Sequence, residues 1–319
     1  ALFGIFFLTV TAGDLSFVPG GVLTAESLAG REAVFRAALF CMLIGFGTKA
    51  GMFPLHGWLP TAHPVAPAPA SAVLSGVITK SGVLGIIRVV YYIVGPELIR
   101  GSWVQTVWMV LTLLTVFMGS MLAYKEPVLK KRLAYSTVSQ VSYILFGLSL
   151  LEPLGFVGAL SHVIFHSLVK NALFLSAGAV IFTTGWTRVE KMKGLGQIMP
   201  KMLVCYTLVS LTLVGIPPTS GFISKWFLAQ GALASGCGVF SWLGPVVLLV
   251  SALLTAGYLL PLTIQGFFPG ADAKKQENHE PSRLMLFPVL LLTFGAVVFG
   301  CFPMPLLSFL QNVAKSVIG

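Results

Sequence analysis

The chain has 319 residues, of which 56% are apolar and only 9% charged, with a mean hydropathy of +0.92; a soluble fold would lack the polar surface to cover itself. Apolar runs of roughly 20 residues, each able to cross about 30 Å of hydrocarbon as a helix, recur along the sequence, whereas the period-two alternation of membrane barrels is missing. The formal net charge of +10 would suggest nucleic acid in a soluble protein, but here the basic residues outside the apolar runs stand in short loops, where positive charge sets orientation in a membrane. The expected partner is therefore the lipid bilayer and not nucleic acid, and the expected fold class is an all-α polytopic membrane protein, a transmembrane helix bundle.

In chain order, residues 1–13 read as the closing half of a helix. The sequence opens at Ala1 inside an apolar run with no basic leader, so we expect a truncated start and no signal peptide. A polar, Gly-rich loop covers 14–32. Residues 33–49 form the next membrane helix, which breaks at Gly51 and Pro54, and 52–62 form a short second piece. The passage from His63 to Pro69 holds three prolines, each of which disfavours a helical residue before it, and is expected to turn. Residues 70–94 make the next span, with Lys80 near its middle and Arg88 about two turns on.

Residues 103–124 cross again between interfacial aromatics, Trp103, Trp108 and Tyr124. A basic loop, 125–132, leads into a span over 133–151 whose Ser136, Thr137, Ser139 and Ser142 give a small, hydroxyl-bearing face suited to close helix packing. The span over 156–183 carries His162, His166 and Lys170 at i, i+4 and i+8, so the three climb one face with about 40° of drift per step. A second basic loop covers 184–201. Residues 202–215 then form a helix that breaks at Pro217, Pro218 and Gly221 and resumes over 222–233, with Lys225 just past the break. Residues 242–268 cross with a kink expected at Pro261, 269–283 form the most polar linker, 284–302 the last clear span, and 304–319 a further helix. That makes about nine crossings.

We divide the chain into 1–151, with its broken helix at 46–60; 152–268, a half-channel bundle with its broken helix at 215–228; and 269–319, a polar loop and C-terminal helix. The two basic loops, 125–132 and 184–201, are separated by two crossings and so share a side, expected to be cytoplasmic.

The two broken helices share a pattern of apolar helix, Gly/Pro break, lysine beside the break and helix resumed, which points to an inverted-repeat transporter with two discontinuous helices. Lipid cannot satisfy irregular backbone, and an ionised lysine in hydrocarbon costs about 2.5 kcal/mol or more, so both need shelter in protein or a wet cavity. Lys49, His56, Lys80, His162, His166, Lys170 and Lys225 all lie within or beside spans, while every Asp and Glu falls in a loop or at a helix end. A lysine caught between burial and an acidic neighbour can lose and regain a proton near working pH. An acid facing Lys49 is expected from a preceding part of the chain or from another subunit. Blander readings exist for each residue: Lys80 or Lys225 could snorkel to an interface, either histidine could be packed against a backbone carbonyl, His56 could stabilise its break beside Trp58, and His63 and Arg88 fit either kind of role. Zinc at His162 and His166 is disfavoured because no acidic or thiol ligand accompanies them. Cys41, Cys205, Cys237 and Cys301 are scattered singly and suggest core packing, with no disulfide framework or metal site. No haem, flavin or iron–sulfur ligand pattern occurs, so no cofactor is expected.

The runs Gly45-Phe46-Gly47-Thr48-Lys49 and Pro54-Leu55-His56-Gly57-Trp58-Leu59-Pro60-Thr61-Ala62-His63, then Lys80, then His162-Val163-Ile164-Phe165-His166-Ser167-Leu168-Val169-Lys170-Asn171, then Gly215-Ile216-Pro217-Pro218 with Gly221-Phe222 and Lys225, resemble the antiporter-like proton-pumping membrane subunits. These occur in respiratory complex I (NADH:quinone oxidoreductase), membrane-bound hydrogenases and Mrp-type cation/proton antiporters. The resemblance implies about fourteen helices with two inverted bundles of about five, each containing one discontinuous helix. It implies a proton path through Lys49 on the first discontinuous helix, Lys80 as the connecting lysine, His166 and Lys170 as the relay and Lys225 on the exit side. It also implies a subunit without a redox centre, translocating protons, or sodium as the other cation left open, inside a multisubunit redox complex of a bacterial or archaeal inner membrane. The alternative is a subunit of an Mrp-type antiporter driven by ion gradients.

Overall fold

The computed structural model describes residues 1–12, 16–270 and 277–318; the parts of the expected 1–13 helix end, the 14–32 loop, the 269–283 linker and the C-terminal helix that fall on 13–15, 271–276 and 319 lie outside the described residues. Among the described residues the regular structure is helical, with a single isolated bridge between Val128 and Arg188 joining the two basic loops. The helices in order are α1 (Leu2–Ala12), α2 (Glu32–Ala50), α3 (Trp58–Val65), α4 (Ala68–Val94), α5 (Trp103–Lys125), α6 (Leu129–Ser149), α7 (Pro153–Thr184), α8 (Pro200–Val214), α9 (Ser220–Ala234), α10 (Val239–Phe267), α11 (Arg283–Cys301) and α12 (Met304–Ile318). Six of them, α2, α4, α5, α7, α10 and α11, are long and apolar enough to cross a membrane. The chain is thus an integral, multi-pass helical membrane protein.

The helix ends follow from local chemistry. The Glu152 carboxylate accepts from the Gly155 N–H at 2.9 Å and Pro153 occupies the first helical position of α7, a favourable start because two otherwise unpaired donors are answered or removed. Between α3 and α4 the helix runs through Pro64 and stops only at Ala66, which is extended with ψ 144° immediately before Pro67. The passage is therefore helical further than expected: Pro64 forfeits one hydrogen bond near the helix end, while Pro67 forces the residue before it out of the helical region. In α4 the turns at Leu74–Ile78 and Arg88–Val94 widen to π geometry, a feature often found at functional positions.

The long α7 is the axis of the molecule. It packs against α4, α6, α8, α9, α11 and α12, so that its row of His162, His166 and Lys170 is enclosed on all sides and each of the three is at most 2% exposed. Close approach is achieved with small residues. A Cβ on Gly231 of α9 would sit 2.3 Å from the Gly155 backbone nitrogen of α7, and one on Gly158 would sit 2.7 Å from the Leu228 nitrogen, so these backbones touch in the manner of small-residue membrane interfaces. The α12 helix buries Leu307, Leu310, Ala314 and Val317, one helical face, against α7 and the end of α4.

Candidate functional site

The two helix breaks are built alike. The α2 helix ends on Gly51 at φ +88°, with the Met52 N–H reaching back to Gly47 O at 2.8 Å; α8 ends on Gly215 at φ +91°, with the Ile216 N–H reaching Leu211 O at 3.2 Å. Both are glycine-capped ends in which a left-handed residue turns the chain so that orphan carbonyls are answered. Three residues after each glycine stands a cis proline, Pro54 and Pro218 respectively. The donors that serve the remaining carbonyls differ. At the second break the Lys225 ammonium donates to Leu213 O at 2.6 Å and Val214 O at 2.8 Å. At the first, the Trp58 indole N–H donates to Thr48 O at 2.8 Å.

Between the breaks lies the buried row. Lys80 Nζ is 2.7 Å from His166 Nδ1 and donates to Ser75 O at 2.5 Å, inside the π turn of α4. That turn is held to α7 by Ser167 Oγ donating to Gly76 O at 2.6 Å. Gly76 leaves room for the Asn171 amide, which a Cβ there would meet at 2.3 Å. Lys170 is fully buried and donates to Leu133 O at 3.1 Å. The imidazoles of His166 and His162 stack at 5.8 Å. His162 Nδ1 pairs with Ser224 Oγ of α9 at 2.9 Å, and its other face stacks on Tyr143 at 5.6 Å. Lys225 Nζ lies 5.2 Å from the centre of that same tyrosine ring. The Nε2 atoms of His162 and His166 have no hydrogen-bond partner among the described residues.

The structure therefore links Lys80, His166, His162 and Lys225 through direct and ring contacts on α4, α7 and α9, with Lys170 buried one helical turn beyond His166 on α7. It does not gather Lys49 and His56. Contrary to the expectation of a buried lysine, Lys49 is exposed. Its ammonium lies 5.7 Å from the Trp58 ring centre, while its Cβ lies against the small Gly82 of α4. The α2 helix packs mainly on α1 and α4, and the Lys49 side chain lies outside the main contact, beside Trp58 and the edge of α4 at Gly82. His56 is half-buried, its ring 6.0 Å from Phe53, and the bond that steadies the break comes from Trp58 instead. Sequence reading passed over Trp58, Ser224 and Tyr143, which look like ordinary packing residues, and left His63 undecided. Every ion pair among the described residues lies in a loop or at a helix end, as with Lys131 in the first turn of α6 and Glu126 at 3.1 Å.

Chemically the cluster can accept and donate protons. The Lys80–His166 contact is compatible with an ammonium donating to a bare Nδ1 or an imidazolium donating to a free amine, so moving the proton across it rebuilds the same bond with the roles reversed. The free Nε2 gives the ring a second point of exchange.

The hydroxyl face of α6 is also in use. Ser139 shares hydrogen bonds with Ser120 and Ser251, Ser136 with Tyr258, and Thr137 with Ser75 at 2.6 Å, tying α4, α5 and α10 to α6 around the cluster.

Comparisons with known proteins agree with this architecture. The family described as "NADH:quinone oxidoreductase/Mrp antiporter, TM" matches residues 1–269. The NADH-quinone oxidoreductase subunit N of Desulforudis audaxviator is 34% identical over 319 aligned residues, covering 94% of this chain and 61% of that protein. Hydrogenase-4 component B of Escherichia coli is 36% identical, over 91% of this chain and 45% of its own length. The Mrp complex of a Dietzia species contains a chain that superposes with a TM-score of 0.81 at 23% identity, over 99% of this chain and 65% of that one. The present chain thus spans about half to two thirds of the proteins it matches. By the family match over residues 1–269, the chain belongs to the antiporter-like membrane subunits shared by NADH:quinone oxidoreductases and Mrp antiporters.

Proposed function

We propose that this chain carries protons across the membrane along Lys80, His166, Lys170, His162 and Lys225, as part of one subunit of a redox-driven assembly such as an NADH:quinone oxidoreductase or a membrane-bound hydrogenase. The observation that carries the reading is the 2.7 Å contact between Lys80 Nζ and His166 Nδ1, a proton-exchanging pair enclosed in a helix bundle. Amines and imidazoles both take up and release protons, whereas a sodium ion would call for a shell of oxygen donors; the composition of the row therefore favours the proton over sodium. Lys49 approaches α4 through Gly82 and joins the path when the exposed face of α2 is covered by its assembly partners. The electron donor and its redox centres belong to other subunits. The basic loops at 125–132 and 184–201 face the cytoplasm of a cell whose inner membrane houses the complex.

The test is Lys170→Ala in the full-length subunit within its assembled complex, with proton uptake by inverted membrane vesicles as the readout. Uptake is expected to fall at least tenfold at normal assembly, and undiminished uptake removes Lys170 from the path. The gradient-driven reading, an Mrp-type antiporter, is separated by the proteins that co-purify: hydrophilic redox subunits support the first reading and small membrane subunits alone support the second.

A further inference from the structure

His63 stands outside the row yet shares its properties. It belongs to α3, the resumed piece of the first broken helix, and is 0% exposed. Neither of its ring nitrogens has a hydrogen-bond partner among the described residues. A buried imidazole that serves only as packing is a poor choice, since two polar atoms lose water and gain nothing in return.

Its place in the fold extends the row. The His63 ring lies 4.6 Å from that of Phe174 and within 16° of parallel, and Phe174 stands one helical turn beyond Lys170 on α7. Lys170 in turn donates to Leu133 O in the first turns of α6, next to the basic loop. From that same end of α6, Lys130 reaches over and donates to Pro64 O at 3.4 Å and to Ala66 O, carbonyls at the end of α3 just after His63. Ser71 Oγ holds the His63 carbonyl at 3.1 Å, fixing the short helix from the α4 side. His63 therefore sits between the inner lysine and a lysine at the basic-loop face.

We propose that His63 is the proton carrier linking Lys170 to water on the basic-loop side, with Lys130 at the mouth of that link. The inference rests on the proton-translocation reading given above. In the step, one ring nitrogen takes a proton from water at the Lys130 end, and the opposite ring N–H releases its own proton toward the free amine of Lys170. The ring begins and ends neutral, and Lys170 ends as the ammonium; the reverse sequence discharges it.

Phenylalanine keeps the ring stack on Phe174 and most of the buried volume while removing both nitrogens, so His63→Phe in the full-length, assembled complex isolates the proton-carrying role from packing. Proton uptake by inverted vesicles is expected to fall at least tenfold in His63→Phe and in His63→Gln, with assembled complex at the wild-type level, and two- to fivefold in Lys130→Gln. Lys170→Ala is measured alongside. If Lys170→Ala fails and His63→Phe transports normally, the His63 proposal falls and the wider reading stands. If both transport normally, the wider reading itself falls. If His63→Phe does not assemble, His63→Gln decides. Failure of both variants to assemble makes His63 a structural residue and overturns the proposal.

Discussion

Lys80→Met tests the central contact most directly, because methionine keeps much of the stem and its apolar volume while deleting the ammonium. Two bonds vanish, to Ser75 O at 2.5 Å and His166 Nδ1 at 2.7 Å. Ser75 O retains the Thr79 hydroxyl at 3.0 Å, so only His166 Nδ1 is orphaned, at a cost of about 1–3 kcal/mol. Against this, replacing a buried ion by an apolar group of similar shape often recovers about 1–4 kcal/mol of desolvation. The two terms are opposed and alike in size, so the variant is expected to fold and assemble. Transport has no such offset. A proton on His166 loses a charge-assisted partner worth about 1.5–3 kcal/mol; at about 1.4 kcal/mol per decade of rate this slows passage about 10- to 150-fold. The assay is dye-monitored acidification of inverted vesicles, normalised to assembled complex. Uptake within twofold of wild type at normal assembly would refute the reasoning, since it would mean that protons pass His166 without Lys80.

Two further outcomes follow from the breaks. In Gly221→Ala the new Cβ would stand 1.8 Å from Thr212 O, a clash with backbone that must push α8 from α9. An overpacking loss of about 1–3 kcal/mol is expected, read as a lower midpoint in a thermal aggregation assay of the solubilised complex, together with weaker transport as Lys225 is drawn from its carbonyls; an unchanged midpoint counts against the tight crossing. Trp58→Phe removes the indole bond to Thr48 O at 2.8 Å, with an expected loss of about 0.5–1.5 kcal/mol in the same assay and transport reduced less than in Lys80→Met.

How much of this was legible in the sequence depends on the distance over which each feature is determined. The row on α7 could be read because His162, His166 and Lys170 recur at helical spacing, and that periodicity survives any tertiary packing. The breaks could be read because Gly51 and Pro54, like Gly215 and Pro218, act locally. The pairing of Lys80 with His166 joins residues 86 apart in sequence; nothing within α4 or α7 alone announces it. Lys49 shows what lies outside the reach of a single helix. The cost of an ammonium in oil argues for a partner, and whether one covers that side chain depends on which elements meet that face of α2, which is not written in α2. His63 was hidden by its neighbours: three prolines suggested a turn, and a histidine in a turn is ordinarily exposed.

The sequence also posed a puzzle that the fold answers. Several lysines lie in the membrane region with no ion-paired carboxylate among the described residues, and such charges are costly. Each of the three enclosed by the fold is met instead by main-chain carbonyls at an irregular or terminal stretch of helix: Lys80 by Ser75 O in a π turn, Lys170 by Leu133 O near the start of α6, and Lys225 by Leu213 O and Val214 O at the open end of α8. At a helix C-terminus the aligned peptide dipoles add to the attraction. A carbonyl differs from a carboxylate in one respect that matters here: it cannot take the proton. A lysine held by a carboxylate can neutralise by passing its proton to that partner, whereas one held by carbonyls can give it only to another base or to water. For Lys80 the base within reach is His166. On the proposed proton-carrying reading, carbonyl partners leave these lysines only bases and water as proton acceptors, and for Lys80 that base lies on the row.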